Sequence, residues 1–276
     1  MSRRPRRRRG RRVRLWPAAR TRRRWRRAWR RAPLGLRIAL ACTLGALLAL
    51  AVNGVYQLIR KPTELFFPVS GALYKMPAAT WHDYAPLFRR YSTGRIAPEL
   101  LAALAQVEGS GNPLVRTYWR WSWASRPFEV YRPASSAVGM YQITDGTFEV
   151  ARHYCIHHHV LTREGPWNDF GSCWFNRLYV RVLPGAAVEL TAAYLDLEVG
   201  EILARRRAPP SPAEVRHVAA IVHLCGAGAA QSYVVRGLKF SAEERCGDHD
   251  PRAYLARVEA MYGVFLRLAA QDTAPQ

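Results

Sequence analysis

Residues 38–59 (IALACTLGALLALAVNGVYQLI) run for 22 positions without a charge. A helix rises about 1.5 Å per residue, so this stretch spans about 33 Å, enough for a bilayer core. Only Asn53 and Gln57 interrupt its apolar character. The run divides the chain. Residues 1–37 precede it, and residues 60–80, with three prolines and no sustained period, read as a linker. Residues 81–270 remain for one domain.

The formal net charge of +22 is unevenly spread. Residues 1–63 hold 20 Lys and Arg and no acidic residue, which leaves 22 basic and 20 acidic residues beyond, a net of +2. Residues 1–37 therefore read as a disordered basic tail, with Trp16, Trp25 and Trp29 interleaved. Positive charge before an apolar span places that side in the cytoplasm and the domain outside it. The tail suits anionic lipid headgroups of an inner membrane. A nucleic-acid role for it is the less favoured reading. A cleaved signal is the rival to an anchor, since Ala49-Leu50-Ala51 resembles a cleavage site.

Cys42 lies within the span, and Cys155, Cys173, Cys225 and Cys246 lie beyond it. Four cysteines in an oxidising compartment suggest two disulfides. The local pairing, 155 with 173 and 225 with 246, is one of three connectivities. The competing reading is a metal site, because His153, His157, His158 and His159 crowd Cys155 and Cys173. No standard zinc spacing is present and each cysteine has a cysteine to pair with, so no metal is expected.

Beyond residue 80 the patterns are mostly helical. Residues 81–92 give a first short helix, and Pro98 opens the next at a tolerated first-turn position. A turn and helix fall within 140–155. Residues 186–206 give the clearest amphipathic pattern, through Leu190, Ala193, Tyr194, Leu197 and Ile202. Helices from Pro212 to Leu224 and from Pro251 to about Leu268 complete a mostly α domain.

One helix carries an oddity. In PELLAALAQVE, Leu100, Leu104 and Glu108 are spaced by four, so Glu108 sits on the apolar row. Burial and the negative end of the helix dipole both favour a neutral carboxyl there, which suits a general acid. The plainer reading is a helix-end glutamate paired with an arginine.

Four stretches resemble soluble-lytic-transglycosylase-type domains, which have a lysozyme-like fold and cleave bacterial cell-wall glycan. Ile96–Leu101 with Gln106–Pro113 (QVEGSGNP) is similar to the catalytic helix of that family, with Gly109 where a serine is usual. Ser136–Thr147 (SAVGMYQITDGT) is similar to the Gly-Leu-Met-Gln segment, with Tyr141 in place of the Met. Val222–Gly228 (VHLCGAG) is similar to an Ala-Tyr-Asn-Ala-Gly motif, with His223 and Leu224 departing from it. Asp250–Val258 is similar to the closing helix, whose tyrosine falls at Tyr254. The resemblance covers about residues 82–265. It implies Glu108 as sole acid/base. It implies substrate contacts at Thr117, Gly139, Met140, Tyr141, Gln142, His223 and Tyr254. A plainer role for His223 is a core histidine bonded to a backbone carbonyl.

The spacing between the Glu and the Gln is about twice that of the family. The extra stretch, Tyr118–Pro133 (YWRWSWASRPFEVYRP), offers Trp119, Trp121 and Trp123 as a cleft flap. Aromatic faces stack on sugars, and arginines pair with carboxylates. The alternative is a flap that completes the core. Glu129, Asp145 and Glu149 are the candidates for a second carboxylate. Glu149 reads as surface and Asp145 as a turn or cap residue.

The expected function is that of a lytic transglycosylase anchored in the inner membrane, with its domain in the periplasm and peptidoglycan as substrate. A lone acid must first protonate the glycosidic oxygen and then act as base; the resemblance implies that the sugar's own 6-hydroxyl attacks and that no metal or cofactor is needed. Two rivals remain open, a hydrolytic muramidase and a non-catalytic glycan-binding scaffold of an envelope secretion or division machine.

Overall fold

The computed structural model describes residues 27–122, 128–169, 171–206 and 208–273. The chain divides into two units, residues 1–55 and 56–276. In the first, residues 27–31 form a helical turn and helix α1 (Leu34–Arg60) begins. Residues 1–26 of the expected basic tail lie outside the described residues. Residues 27–31 and 34–37, expected to be disordered, are helical. Helix α1 is long and apolar enough to cross a membrane, and Leu44, Leu47 and Leu48 are exposed along it.

The second unit is mostly helical, with two small hairpins. Its main helices are α2 (Pro77–Tyr91), α3 (Pro98–Gly109), α4 (Asp145–Ala151), α5 (Pro184–Leu203), α6 (Pro212–Cys225), α7 (Ala227–Val235) and α8 (Pro251–Thr273). Five of these open on proline, whose missing N–H costs nothing where the first turn has no acceptor. Ser211 caps α6 in a reciprocal box with Glu214, satisfying two further amides.

Helix α3 packs between α2 and α8. Its residues Leu100 to Ala105 are all buried, so it is apolar nearly all round. Helix α5 departs from the expected amphipathic pattern. Leu190, Ala193 and Ile202 are buried as expected, but so are Val188, Ala192, Leu195 and Val199 on other faces. It is an enclosed core helix, and its two buried carboxylates are satisfied. Glu189 accepts from the Ile156 amide and the Tyr179 hydroxyl, at 3.1 and 2.7 Å. Asp196 accepts from the Thr93 hydroxyl and Arg95, at 2.6 and 3.0 Å.

Residues 62–73, expected as a linker, form short helical turns that are tied down. The Asn112 amide donates to the Ser70 carbonyl at 2.6 Å, and the Ser70 hydroxyl donates to Leu114 at 2.8 Å. Strands β1 (Trp119–Trp121) and β2 (Tyr131–Pro133) pair antiparallel, with Trp121 opposite Tyr131. Strands β3 (Tyr154–His157) and β4 (Val160–Arg163) form the second hairpin. Disulfides join Cys155 to Cys173 and Cys225 to Cys246, the local pairing. The first holds β3 to the turn Cys173–Leu178. The second holds the end of α6 to the approach to α8.

Candidate functional site

Glu108 lies on the last turn of α3. The helix stops there because Ser110 turns left-handed, at φ 48°, while its amide bonds back to the Ala105 and Gln106 carbonyls. The Glu108 side chain keeps 17% of its exposure and is therefore reachable. Among the described residues no lysine or arginine pairs with it, so the arginine-paired reading does not hold.

Two groups from distant parts of the chain meet this carboxylate. His223, on α6, places Nε2 3.8 Å from Glu108 Oε1. That is ion-pair reach but longer than a hydrogen bond. Burial holds the His223 imidazole below the usual histidine pKa. The Glu108 charge and a contact to the Tyr141 backbone oppose this only in part. Tyr254, on α8, is buried, and its hydroxyl has no hydrogen-bond partner of good geometry. Burial first, then the Glu108 charge and a loose contact to its carboxylate, push the phenol well above its usual range. Glu108, His223 and Tyr254, expected as site residues, are thus brought together.

The Ser136–Thr147 segment closes on the same place from behind. A Cβ on Gly109 would stand 2.9 Å from both Cα and O of Met140, so only glycine lets these backbones touch. That is a physical reason for Gly109 where the resembled family carries serine. Gly139 takes φ 78°, and a Cβ there would meet the Arg181 carbonyl at 2.6 Å. Gln142 is itself left-handed, at φ 49°. Its side-chain amide donates to the Gly139 and Val115 carbonyls, at 2.9 and 3.2 Å, and so fixes the turn.

Met140 and Tyr141 correct the expectation of side-chain substrate contacts. Both are fully buried. Tyr141 donates its hydroxyl to the Leu101 carbonyl at 3.1 Å and packs edge-on against His223, with ring centroids 6.3 Å apart. It props the histidine rather than lining a cleft. Thr117 has other company. Its hydroxyl accepts from Lys61 Nζ and donates to the Ser135 carbonyl, both at 3.3 Å.

The flap residues divide. Trp119 donates its indole N–H to buried Glu64 at 2.9 Å. Trp121 is 58% exposed and packs on Tyr131, with centroids 4.8 Å apart. Trp123 lies outside the described residues. The second-carboxylate candidates are all ion-paired elsewhere: Glu129 with Arg60 and Arg132, Asp145 with Arg181, and Glu149 with Arg152. Asp145 is the first residue of α4, and its cap is Thr144.

A separate cavity of about 540 Å³ lies beside the histidine-rich hairpin and contains none of the residues around Glu108. Cys155, His157 and Cys173 bring ligand atoms within 4.8 Å of one another there. Both sulfurs are committed to a disulfide, which removes the thiolates zinc would use. The sequence reading missed Arg181, whose guanidinium donates to the Ile143 carbonyl at 2.8 Å and so supports the Gln142 turn. Nothing in its local sequence marks it. Among known protein families no model matches this chain, and no curated protein matches it.

Proposed function

We propose that the chain is a membrane-anchored lytic transglycosylase that cleaves peptidoglycan at Glu108. The observation that carries this reading is the group around that carboxylate. A single reachable acid faces a buried tyrosine hydroxyl that has no hydrogen bond of good geometry, and a largely enclosed histidine at 3.8 Å. Leaving a buried hydroxyl unsatisfied costs about 1–3 kcal/mol, which favours a site awaiting a ligand over a structural knot. The four resembling stretches agree with it in kind.

The chemistry follows from having one acid rather than two. Glu108 gives its proton to the glycosidic oxygen as the bond to the muramic C1 breaks. The 6-hydroxyl oxygen of the same sugar bonds to C1 and returns its proton to Glu108. No water is consumed, and the product is a 1,6-anhydro ring. Tyr254 is suited to hold the carboxylate in place, and His223 to sense its charge. The Arg-rich tail would lie in the cytoplasm and the domain in the periplasm, where its two disulfides persist.

The departures at His223 and Leu224 favour a second reading, a glycan-binding scaffold without turnover. Purified sacculi separate the readings. The expected result is anhydro-muropeptides from wild type, lighter by one water than hydrolytic products, and none from Glu108→Gln. Reducing sugar ends would instead mean a muramidase. Binding without any product would support the scaffold.

A further inference from the structure

Helix α1 ends in a cluster of charge that glycan chemistry does not use. Gln57, Arg60 and Lys61 line a cavity of about 240 Å³, together with Arg132, Ser135, Asp145 and Arg181. Four cations and one carboxylate therefore face the same small space. Behind it, Arg60 and Arg132 share Glu129, at 3.2 and 3.0 Å. Lys61 and Arg116 share Glu64, at 3.2 and 3.3 Å. Arg181 pairs with Asp145 at 2.8 Å. Among the described residues this network sets five basic side chains against three carboxylates.

Confining excess cationic charge is costly unless an anion joins it. The Lys61 side chain is only 11% exposed. Its burial holds the ammonium below the usual lysine range. Glu64 offsets this in part, and the Arg181 charge adds to it. The Arg132 Nε is buried and has no hydrogen-bond partner. Lys61 already reaches Thr117, Ser135 and Glu64, so its charge adds to the site, while the Arg132 Nε is a donor still without an acceptor.

The position says which acceptor. Where a membrane-spanning helix ends, the phosphates of the lipid headgroups begin. Arg60 is the last residue of α1 and Lys61 follows it. The hairpin flanking the cavity adds aromatic side chains suited to that depth. Trp121 is exposed, and Phe128 meets Tyr56 with ring centroids 5.5 Å apart. The Gln57 amide fastens this hairpin by donating to the Phe128 carbonyl at 2.8 Å.

We infer that Arg60, Lys61, Arg132 and Arg181 form a binding site for the phosphate of an anionic membrane lipid, at the end of α1 opposite the Arg-rich tail. The site rests on α1 crossing a membrane and not on the cleavage chemistry at Glu108. It would hold the domain at one height and orientation over the bilayer.

The test uses the full chain in neutral detergent, with binding read by native mass spectrometry. The probes are short-chain phosphatidylglycerol, short-chain phosphatidylcholine and inorganic phosphate. Wild type is expected to retain phosphatidylglycerol in preference to the other two. Lys61→Gln with Arg132→Gln is expected to weaken that binding on the order of 30-fold, since two headgroup-facing charges are lost. Lys61→Arg is expected to keep it. Equal retention of both lipids, or an unaffected double variant, would overturn the site. Inorganic phosphate binding as tightly as the lipid would overturn the lipid as its source. If circular dichroism shows the double variant unfolded, the salt dependence of wild type decides. Phosphatidylglycerol affinity that does not fall with added salt would also overturn the site.

Discussion

His223 Nε2 stands 3.8 Å from Glu108 Oε1, close enough to feel its charge and too far to bond to it. The histidine is held from behind by fully buried Tyr141 and is itself almost enclosed. Burial therefore dominates, and the folded chain favours the neutral ring. The sign for stability follows. A histidine whose folded pKa lies below its unfolded value costs nothing above the unfolded pKa of about 6.5. As pH falls below that, the unfolded chain takes up a proton that the folded chain resists, and stability drops until the folded pKa is passed. Wild type should thus melt lower at pH 5 than at pH 7.5. His223→Gln should flatten that difference, as differential scanning calorimetry at both pH values would reveal. An unchanged slope in the variant would assign the pH response to other groups.

Tyr254→Phe separates function from folding. The phenol hydroxyl is buried without a good partner, so removing it deletes an unsatisfied group. Stability should stay level or rise, by up to about 1 kcal/mol. Turnover on sacculi should nevertheless fall at least tenfold, because the carboxylate loses its neighbour. A destabilised variant with full activity would show the hydroxyl to be structural.

Gly109→Ala should be disproportionately harmful for one methyl group. The added carbon would meet the Met140 backbone at 2.9 Å, and backbone cannot swing aside as a side chain can. Overpacking of this kind costs about 1–3 kcal/mol. A denaturant melt should register that loss. Activity should drop further, since the turn that follows Met140 would be pushed away from Glu108.

The disulfide Cys225–Cys246 closes a loop with a sequence separation of 21 and begins two residues after His223. Chain-entropy arguments give about 3 kcal/mol for a loop of that size. Cys225→Ser with Cys246→Ser should lose about that much in a denaturant melt. The pair Cys155→Ser with Cys173→Ser should lose a similar amount of stability. The effect on activity should be smaller there, because that bridge fastens the hairpin of β3 and β4 rather than the end of α6.

Much of this architecture was legible because its signals are local. Proline at 98, 212 and 251 marked helix starts, and the uncharged run marked α1 to within a few residues. The hairpin of β3 and β4 was not legible. Its two-residue turn is His158-His159, with both residues left-handed at φ 49° and 65°, where Asn-Gly would have announced it. The tie between residues 62–73 and the domain was hidden too, since Ser70 and Asn112 find each other only in three dimensions. At the site, spacing put Glu108 on the apolar row correctly. It could not tell that Tyr141 would be fully enclosed, or that the Gln142 amide would be spent on the Gly139 and Val115 carbonyls. Nor could it foresee that the expected flap would spend Trp119 on Glu64.

The central claim is that Glu108 transfers the proton that cuts the glycan. The most direct measurement is mass spectrometry of the soluble products released from purified sacculi, with wild type and Glu108→Gln side by side at matched, folded concentrations. The account expects 1,6-anhydro-muropeptides from wild type and a loss of at least about a hundredfold in the variant, the scale of a missing general acid. Equal release by both proteins would contradict it.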